Sequence, residues 1–236
     1  MTDLDLEKRR AAEAAIALVR DGMRLGLGSG STVFHAIRVL GERVRAGLQV
    51  SIVTASEASA QLARSLGIPV RTLEECPRLE LAIDGADEVD GALRMIKGGG
   101  GALLREKVVA SAAEQLLIIA DSSKQVERLG RFPLPVEVLP FALPVVLERL
   151  RQLGCEPRPR RLADGTPYLT DQHNHIVDCA FGRIEAPEAL ALTLDGIPGV
   201  LEHGLFLTEA SRLFVGRGGR VEELRRPSAS SPGTPP

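Results

Sequence analysis

Apolar residues recur along this chain with two periods, one helical and one of strand type. Ala12, Ala15, Ile16 and Val19 fall at helical spacing and predict an opening amphipathic helix, which Asp21–Gly22 ends. Met23–Gly28 then reads as a short buried strand and GSGST as a glycine-rich turn. Val33, Ile37, Leu40 and Val44, at i, i+4, i+7 and i+11, predict a second helix. The alternation continues with a strand at Val50–Thr54, a helix from about Ser56 to Leu66, and strands at Leu79–Ile83 and Leu116–Ala120. Between those last two strands, IKGGGGALLREKVVASAAEQ reads as a glycine turn feeding a helix. Strands alternating with helices predict a parallel α/β sheet joined by right-handed crossovers.

The pattern changes near residue 130. Four prolines (133, 135, 140 and 144) punctuate the junction. Beyond it the predicted order is strand Pro135–Val138, helix Leu143–Leu153, strand Glu156–Arg161, strand His175–Phe181, helix Pro187–Leu194 and strand Val200–Leu207. That βαββαβ order describes a small ferredoxin-like α+β domain. A last strand, Arg212–Val215, is expected to rejoin the first sheet, which makes the small domain an insertion. The expected organisation is a Rossmann-like domain of residues 1–130 plus 208–225, a small domain of residues 131–207, and a disordered tail of residues 226–236. The tail, RPSASSPGTPP, has no apolar periodicity.

Composition narrows the function classes. Of 236 residues, 44% are hydrophobic and 25% charged, with a formal net charge of −2, which excludes a wholly disordered or fibrous chain. Aromatics are only 3%, without Trp and with one Tyr. Such a chain lacks both a base-stacking platform and the basic excess of a phosphate-backbone binder, so no nucleic-acid partner is expected. Cys76, Cys155 and Cys179 are scattered and odd in number, so neither a disulfide framework nor a structural zinc site is expected. The opening MTDLDLEKRR places acids ahead of any apolar run, unlike a secretory signal. No apolar stretch approaches the roughly 18 residues that suggest a membrane span. The expected location is cytoplasmic, with no membrane partner.

Candidate chemistry lies in four segments, each placed at the carboxyl end of a predicted strand, where open α/β sheets bind ligands. In Gly26-Leu27-Gly28-Ser29-Gly30-Ser31-Thr32, position 31 is Ser where a dinucleotide fingerprint needs Gly, and no lysine follows Gly30 as a P-loop requires. A glycine turn with three hydroxyls at a helix start suits a phosphate monoester, or is simply a tight turn capped by Ser31 or Thr32. Asp84-Gly85-Ala86-Asp87-Glu88-Val89-Asp90 concentrates carboxylates that serve proton transfer, sugar hydroxyls or a cation, or that form a solvated acidic turn. Lys97 precedes Gly98, Gly99, Gly100 and Gly101, a run of backbone free to approach a ligand closely, and the lysine could stabilise an oxyanion. Glu106 follows on the next helix between Arg105 and Lys107, and spacing alone does not decide whether it faces the site or solvent. Asp121-Ser122-Ser123-Lys124 either carries a lysine toward a phosphate or caps a helix start. His173-Asn174-His175, near Asp178 and Cys179, superficially suggests a metal, although a turn entering a strand explains it more simply.

Together these segments resemble the ribose-5-phosphate isomerase family, type A. The motifs GLGSGST, TASEAS, DGADEVD, KGGGGALLREK, DSSKQV, FPLPVEVLP and GVLEHGLF appear in the family's order, covering the chain to about residue 220. Ser29 stands where the family usually has Thr, and Gly101 replaces a common Ala; nothing functional is carried onto the His173–His175 segment. The resemblance implies cofactor-free, metal-free interconversion of ribose 5-phosphate and ribulose 5-phosphate through an enediolate, in the non-oxidative pentose phosphate pathway, by a homodimer. By position, Glu106 would move the proton between C1 and C2. Asp84 and Asp87, with Gly85 and Ala86, would meet the sugar. Lys97 and Gly98, Gly99 and Gly100 would stabilise the oxyanion, while Ser29, Gly30, Ser31, Thr32 and Lys124 would bind substrate. The residue types suit proton abstraction beside a carbonyl, which needs a base and a fixed positive group. Phosphosugar deaminases, lactonases and coenzyme A transferases share the general architecture. A non-catalytic sugar-phosphate sensor would normally carry a DNA-binding module, which the single N-terminal helix does not supply.

Overall fold

The computed structural model describes residues 3–226. Helix α1 (Asp3–Ile16) buries Ala11, Ala12, Ala15 and Ile16, and this small-residue face packs against the second helix, α2 (Ser31–Arg45). The expected first helix extends to Val19, but the ladder changes at Leu18 and Val19, whose N–H groups donate three residues back to Ala15 and Ile16. Val19 still enters the core, from a turn.

Strands β1 (Arg24–Leu27), β2 (Ser51–Thr54) and β3 (Leu81–Asp84) are short and almost wholly buried, as a parallel sheet covered on both faces requires. Helix α3 (Glu57–Ser65) links β2 toward β3, its first turn capped by Ser56, whose hydroxyl accepts from the Ser59 N–H. After β3 come two two-residue strands, β4 (Glu88–Val89) and β5 (Met95–Ile96), then α4 (Leu103–Ser111) and β6 (Leu116–Asp121). The second unit comprises β7 (Leu134–Val138), α5 (Leu143–Gln152), β8 (Glu156–Pro159), β9 (His175–Ala180), α6 (Pro187–Asp195) and β10 (Val200–His203). Strands β11 (Leu205–Phe206), β12 (Ala210–Arg217) and β13 (Arg220–Arg225) complete the described chain.

The large sheet runs β13-β12-β6-β3-β1-β2, parallel except for the β12–β13 hairpin. Alternate residues of β6 serve opposite faces. Leu117 and Ile119 join the core under α1 and α2, whereas Leu116, Ile118 and Ala120 join the one containing Val109 and Ala110 of α4. The second unit forms an antiparallel sheet, β10-β7-β9-β8, with its own core including Val146, Leu150 and Leu194 from α5 and α6. The fold is therefore the expected α/β architecture with a ferredoxin-like α+β portion, and β12 returns beside β6 as the sequence pattern predicts.

Other features also differ from the expected elements. The single strand anticipated over Val200–Leu207 is two, because Gly204 turns away: its N–H donates to the Pro135 carbonyl at 2.8 Å and its carbonyl accepts from the Lys97 N–H at 2.9 Å. β11 consequently pairs with β5, in a three-stranded sheet β11-β5-β4. Strand β13 follows β12 as an additional edge. Apart from Arg226, the tail expected to be disordered lies outside the described residues.

Candidate active site

The loops after β1, β3 and β6 leave the same edge of the large sheet, and the glycine run meets them there from β5 rather than from a parallel strand. One cavity is lined by Ser29, Gly30, Ser31, Thr32, Gly85, Ala86, Asp87, Lys97, Gly98, Gly99, Gly100, Glu106 and Lys124. Asp84 completes the expected set from beneath, through its bond to Lys97. The residues that the resemblance assigned to catalysis and substrate binding therefore come together, whereas Glu88, Asp90 and Asp121 of the same segments do not line the cavity.

At the centre is a buried trio. Lys97 Nζ lies 2.9 Å from Asp84 Oδ2 and 3.2 Å from Glu106 Oε2, and donates to the Gly85 carbonyl at 2.6 Å. All three side chains are at least nine-tenths buried, and the Lys97 ammonium also sits 5.3 Å from the Phe206 ring centroid. Asp84 is fixed further by the Gly85 N–H at 2.7 Å and the Ser29 N–H at 3.4 Å. Gly28 is what makes room for it: a Cβ there would fall 1.8 Å from Asp84 Oδ1. By contrast, Glu106 Oε2 makes no aligned hydrogen bond, despite its closeness to the lysine.

This electrostatic arrangement divides the trio into distinct states. Burial, reinforced by the negative charge of Asp84, pushes the Glu106 carboxyl up from 4.5 to about 8, with Lys97 opposing. Burial likewise raises Asp84, again against the pull of Lys97. For the lysine, burial favours the neutral amine, but Asp84 and Glu106 outweigh it and keep the ammonium protonated above its ordinary range. The centre thus holds one fixed cation beside a carboxyl poised to take or release a proton near neutral pH.

The helix carrying Glu106 is anchored by its neighbours. Arg105 Nη1 lies 3.2 Å from Glu57 and 3.3 Å from Asp171. Lys107 Nζ donates to Glu202 at 2.6 Å and to the His203 and Leu205 carbonyls, both at 3.0 Å. Leu103, Glu106 and Ala110 occupy the inward side at i, i+3 and i+7. That apolar register, with one carboxylate on it, was the available clue that Glu106 points inward.

The hydroxyl turn resolves one open alternative. Its helix cap is Gly30, at φ 96°, without a side-chain cap, so neither Ser31 nor Thr32 plugs the first-turn amides. Asp87 crosses to the glycine loop and accepts the Gly99 N–H at 2.7 Å. Lys8, which the sequence pattern did not single out, donates to the Ser31 hydroxyl at 3.0 Å. It lies in α1 among other charged residues, and no spacing distinguishes it.

The histidine segment serves other ends. Asn174 and Thr170 both bond the buried Glu137, at 2.9 and 3.0 Å, while Asp178 pairs with Arg160 and Cys179 is buried in the core. Among the described residues, the sole compact group of metal-ligand types is Asp195, Glu202 and His203, which does not include His173 or His175.

Comparisons with known proteins identify relatives of the chain and of its fold. A family model described as ribose 5-phosphate isomerase A (phosphoriboisomerase A) matches residues 51–219. The ribose-5-phosphate isomerase A of Parvibaculum lavamentivorans is 50% identical, over 90% of this chain and 94% of its own. That of Methylorubrum extorquens is 55% identical, over 85% and 87% respectively. Among solved structures, a D-ribose-5-phosphate isomerase in complex with phospho-erythronic acid superposes with a TM-score of 0.92 at 35% identity, covering 96% of this chain and all of that one. The ribose 5-phosphate isomerase A of Methanocaldococcus jannaschii gives 0.88 at 39% identity, over 92% and 97%.

Proposed function

Because this chain belongs to the ribose 5-phosphate isomerase A family and is an isomerase, we propose that it interconverts ribose 5-phosphate and ribulose 5-phosphate through an enediolate, with Glu106 as the base. The observation that carries this reading is the buried contact of Glu106 with Lys97, itself held by Asp84, at the floor of the cavity. Removing a proton beside a carbonyl leaves negative charge on oxygen, and a permanently protonated Lys97 next to the base supplies the compensating charge. A Glu106 carboxyl at about 8 can take the proton from one carbon and return it to the other, since both its ionised and its protonated forms are accessible near neutral pH. Asp84 and Asp87 are the groups we assign to the sugar hydroxyls and to opening the ring.

At the far end, the uncapped start of α2, the hydroxyls of Ser29, Ser31 and Thr32, and the amines of Lys124 and Lys8 suit the phosphate. Anchoring there holds the reacting carbons in register over the glycine loop. The relative solved with phospho-erythronic acid, a phosphorylated four-carbon sugar acid, supports a phosphorylated sugar as the ligand here.

The same reading takes the enzyme to act without cofactor or metal, as a homodimer, in the cytoplasm and within the non-oxidative pentose phosphate pathway. It also takes the Rossmann-like and small sheets as two domains divided as the sequence pattern suggests. No described helix is long and apolar enough to cross a membrane.

The test is incubation with ribose 5-phosphate in heavy water. Ribulose 5-phosphate should form with solvent deuterium entering the transferred position. Product formed without any exchange, together with undiminished turnover by Glu106→Gln, would point instead to a direct hydride shift and would remove Glu106 from its role.

A further inference from the structure

Resting on that reading, we propose that Arg160, locked by Asp178 and flanked by Tyr168, is a positioning residue for the isomerisation, acting through the backbone of the glycine loop. Arg160 belongs to the small antiparallel unit, yet its guanidinium reaches across to the large one. Nη1 donates to the carbonyls of Gly98 at 3.1 Å and Gly99 at 3.0 Å. The rest of the fork is spent on Asp178, with Nε at 2.9 Å and Nη2 at 2.5 Å from its two carboxylate oxygens. Tyr168 continues the row: its hydroxyl donates to the Gly100 carbonyl at 3.1 Å, and its ring centroid lies 5.6 Å from the guanidinium carbon.

Three successive carbonyls are therefore drawn to one side by two side chains. All peptide bonds described are trans, so each captured carbonyl turns the N–H of the same peptide the opposite way. The Gly99 N–H accordingly meets Asp87 on the cavity side at 2.7 Å. The Gly100 N–H belongs to the peptide whose carbonyl Arg160 holds. The Gly101 N–H returns to the Gly98 carbonyl at 2.9 Å and closes the turn. Free of these anchors, a run of four glycines would sample many conformations. Gly101 also fits the tyrosine specifically, since a Cβ there would lie 2.3 Å from the Tyr168 hydroxyl and φ is +77°. Because Asp178 neutralises Arg160, the clamp orients the loop without competing for the phosphate.

With the Gly99 amide held by Asp87 and the Gly101 amide by the Gly98 carbonyl, the Gly100 amide is the one the clamp aims at charge that appears only as the carbon-bound proton leaves, so loss of that aim lowers kcat more than it alters KM. The experiment is steady-state isomerisation of ribose 5-phosphate by Arg160→Ala, Asp178→Asn and Tyr168→Phe, with Arg158→Ala, an exposed arginine on β8, as control. Arg160→Ala is expected to lose about tenfold or more in kcat with KM within about threefold, and to regain part of that loss in added methylguanidinium. Tyr168→Phe, which deletes one hydroxyl, is expected to lose about threefold in kcat. A kcat within about twofold of wild type in Arg160→Ala, or a rise in KM that accounts for the whole loss in kcat/KM, overturns the proposal. Should Arg160→Ala fail to fold, unchanged kcat in both Asp178→Asn and Tyr168→Phe overturns it instead. A wild-type enzyme that does not turn over ribose 5-phosphate would overturn the isomerase reading and this inference together, whereas active wild type with unaffected variants overturns this inference alone.

Discussion

Replacing Glu106 with glutamine keeps the length and shape of the side chain and removes its ability to hold a proton. With the carboxyl at about 8, only about a tenth of wild-type sites carry the ionised base at pH 7. The kcat/KM of the wild type is therefore expected to climb about tenfold per pH unit below 8 and to level above it. Loss of a positioned base costs about 10²–10⁴-fold, and the upper half of that range is expected here. The nearest carboxylate, Asp84, is committed to Lys97 and to the Gly85 and Ser29 amides, so it cannot substitute. Ribose 5-phosphate affinity is expected to stay within about threefold, because the phosphate end is untouched.

The same substitution has a stability signature with a definite sign. Between 4.5 and about 8 the folded protein keeps a proton on Glu106 that the unfolded chain has released, so wild type loses stability as pH rises across that window. Complete ionisation corresponds to about 5 kcal/mol at most, part of which is offset in the variant because Lys97 loses one carboxylate partner. The Tm of the variant is expected to match wild type near pH 4.5 and to exceed it by several degrees at pH 8, at roughly 2–4 °C per kcal/mol. Coupled-enzyme kinetics and thermal melts across pH 5–9 read both effects. A variant keeping more than about a tenth of wild-type kcat, or a flat wild-type profile from pH 6 to 9, would refute the reasoning.

Lys97→Met leaves Asp84 and Glu106 buried without their cation, and is expected to abolish activity and cost about 3–5 kcal/mol in urea melts, less in acid as the carboxylates protonate. Gly28→Ala drives a methyl into Asp84, and is expected to lower kcat about a hundredfold while the circular dichroism spectrum stays native. Lys124→Ala is expected to raise KM for ribose 5-phosphate about tenfold and to weaken inhibition by inorganic phosphate in parallel, with little change in kcat; a kcat effect alone would contradict its assignment. Dialysis against a chelator is expected to leave turnover unchanged, and a loss restored by a divalent cation would contradict the metal-free reading.

The parallel core was legible in the sequence because β1, β2, β3 and β6 are short apolar runs bounded by turns and separated by clear helical periods. The strands that escaped notice carry no such signal. β4 and β5 have two residues each, too few to show alternation, β13 reads RVEELR, an exposed polar edge, and β11, two residues long, reads as the end of the strand before it. The site was legible as four loops, but not as a charge arrangement. That Glu106 faces Lys97 depends on how α4 is rotated, which Arg105 and Lys107 set by contacts far along the chain. Arg160 was invisible for the same reason: its partners are carbonyls, which a sequence does not distinguish.

β6 ends at Asp121, yet its neighbour β12 begins only at Ala210. During synthesis on the ribosome, four strands are available long before the fifth emerges, and the inserted unit is translated in between. Throughout that interval β6 presents a bare row of amides and carbonyls to any passing strand, the circumstance that invites intermolecular association. Only when β12 zips into place does the growing sheet acquire its final border, β13, whose charged residues discourage further addition. The passage between residues 121 and 210 is thus the interval in which the unpaired edge of β6 is expected to be most open to a foreign strand.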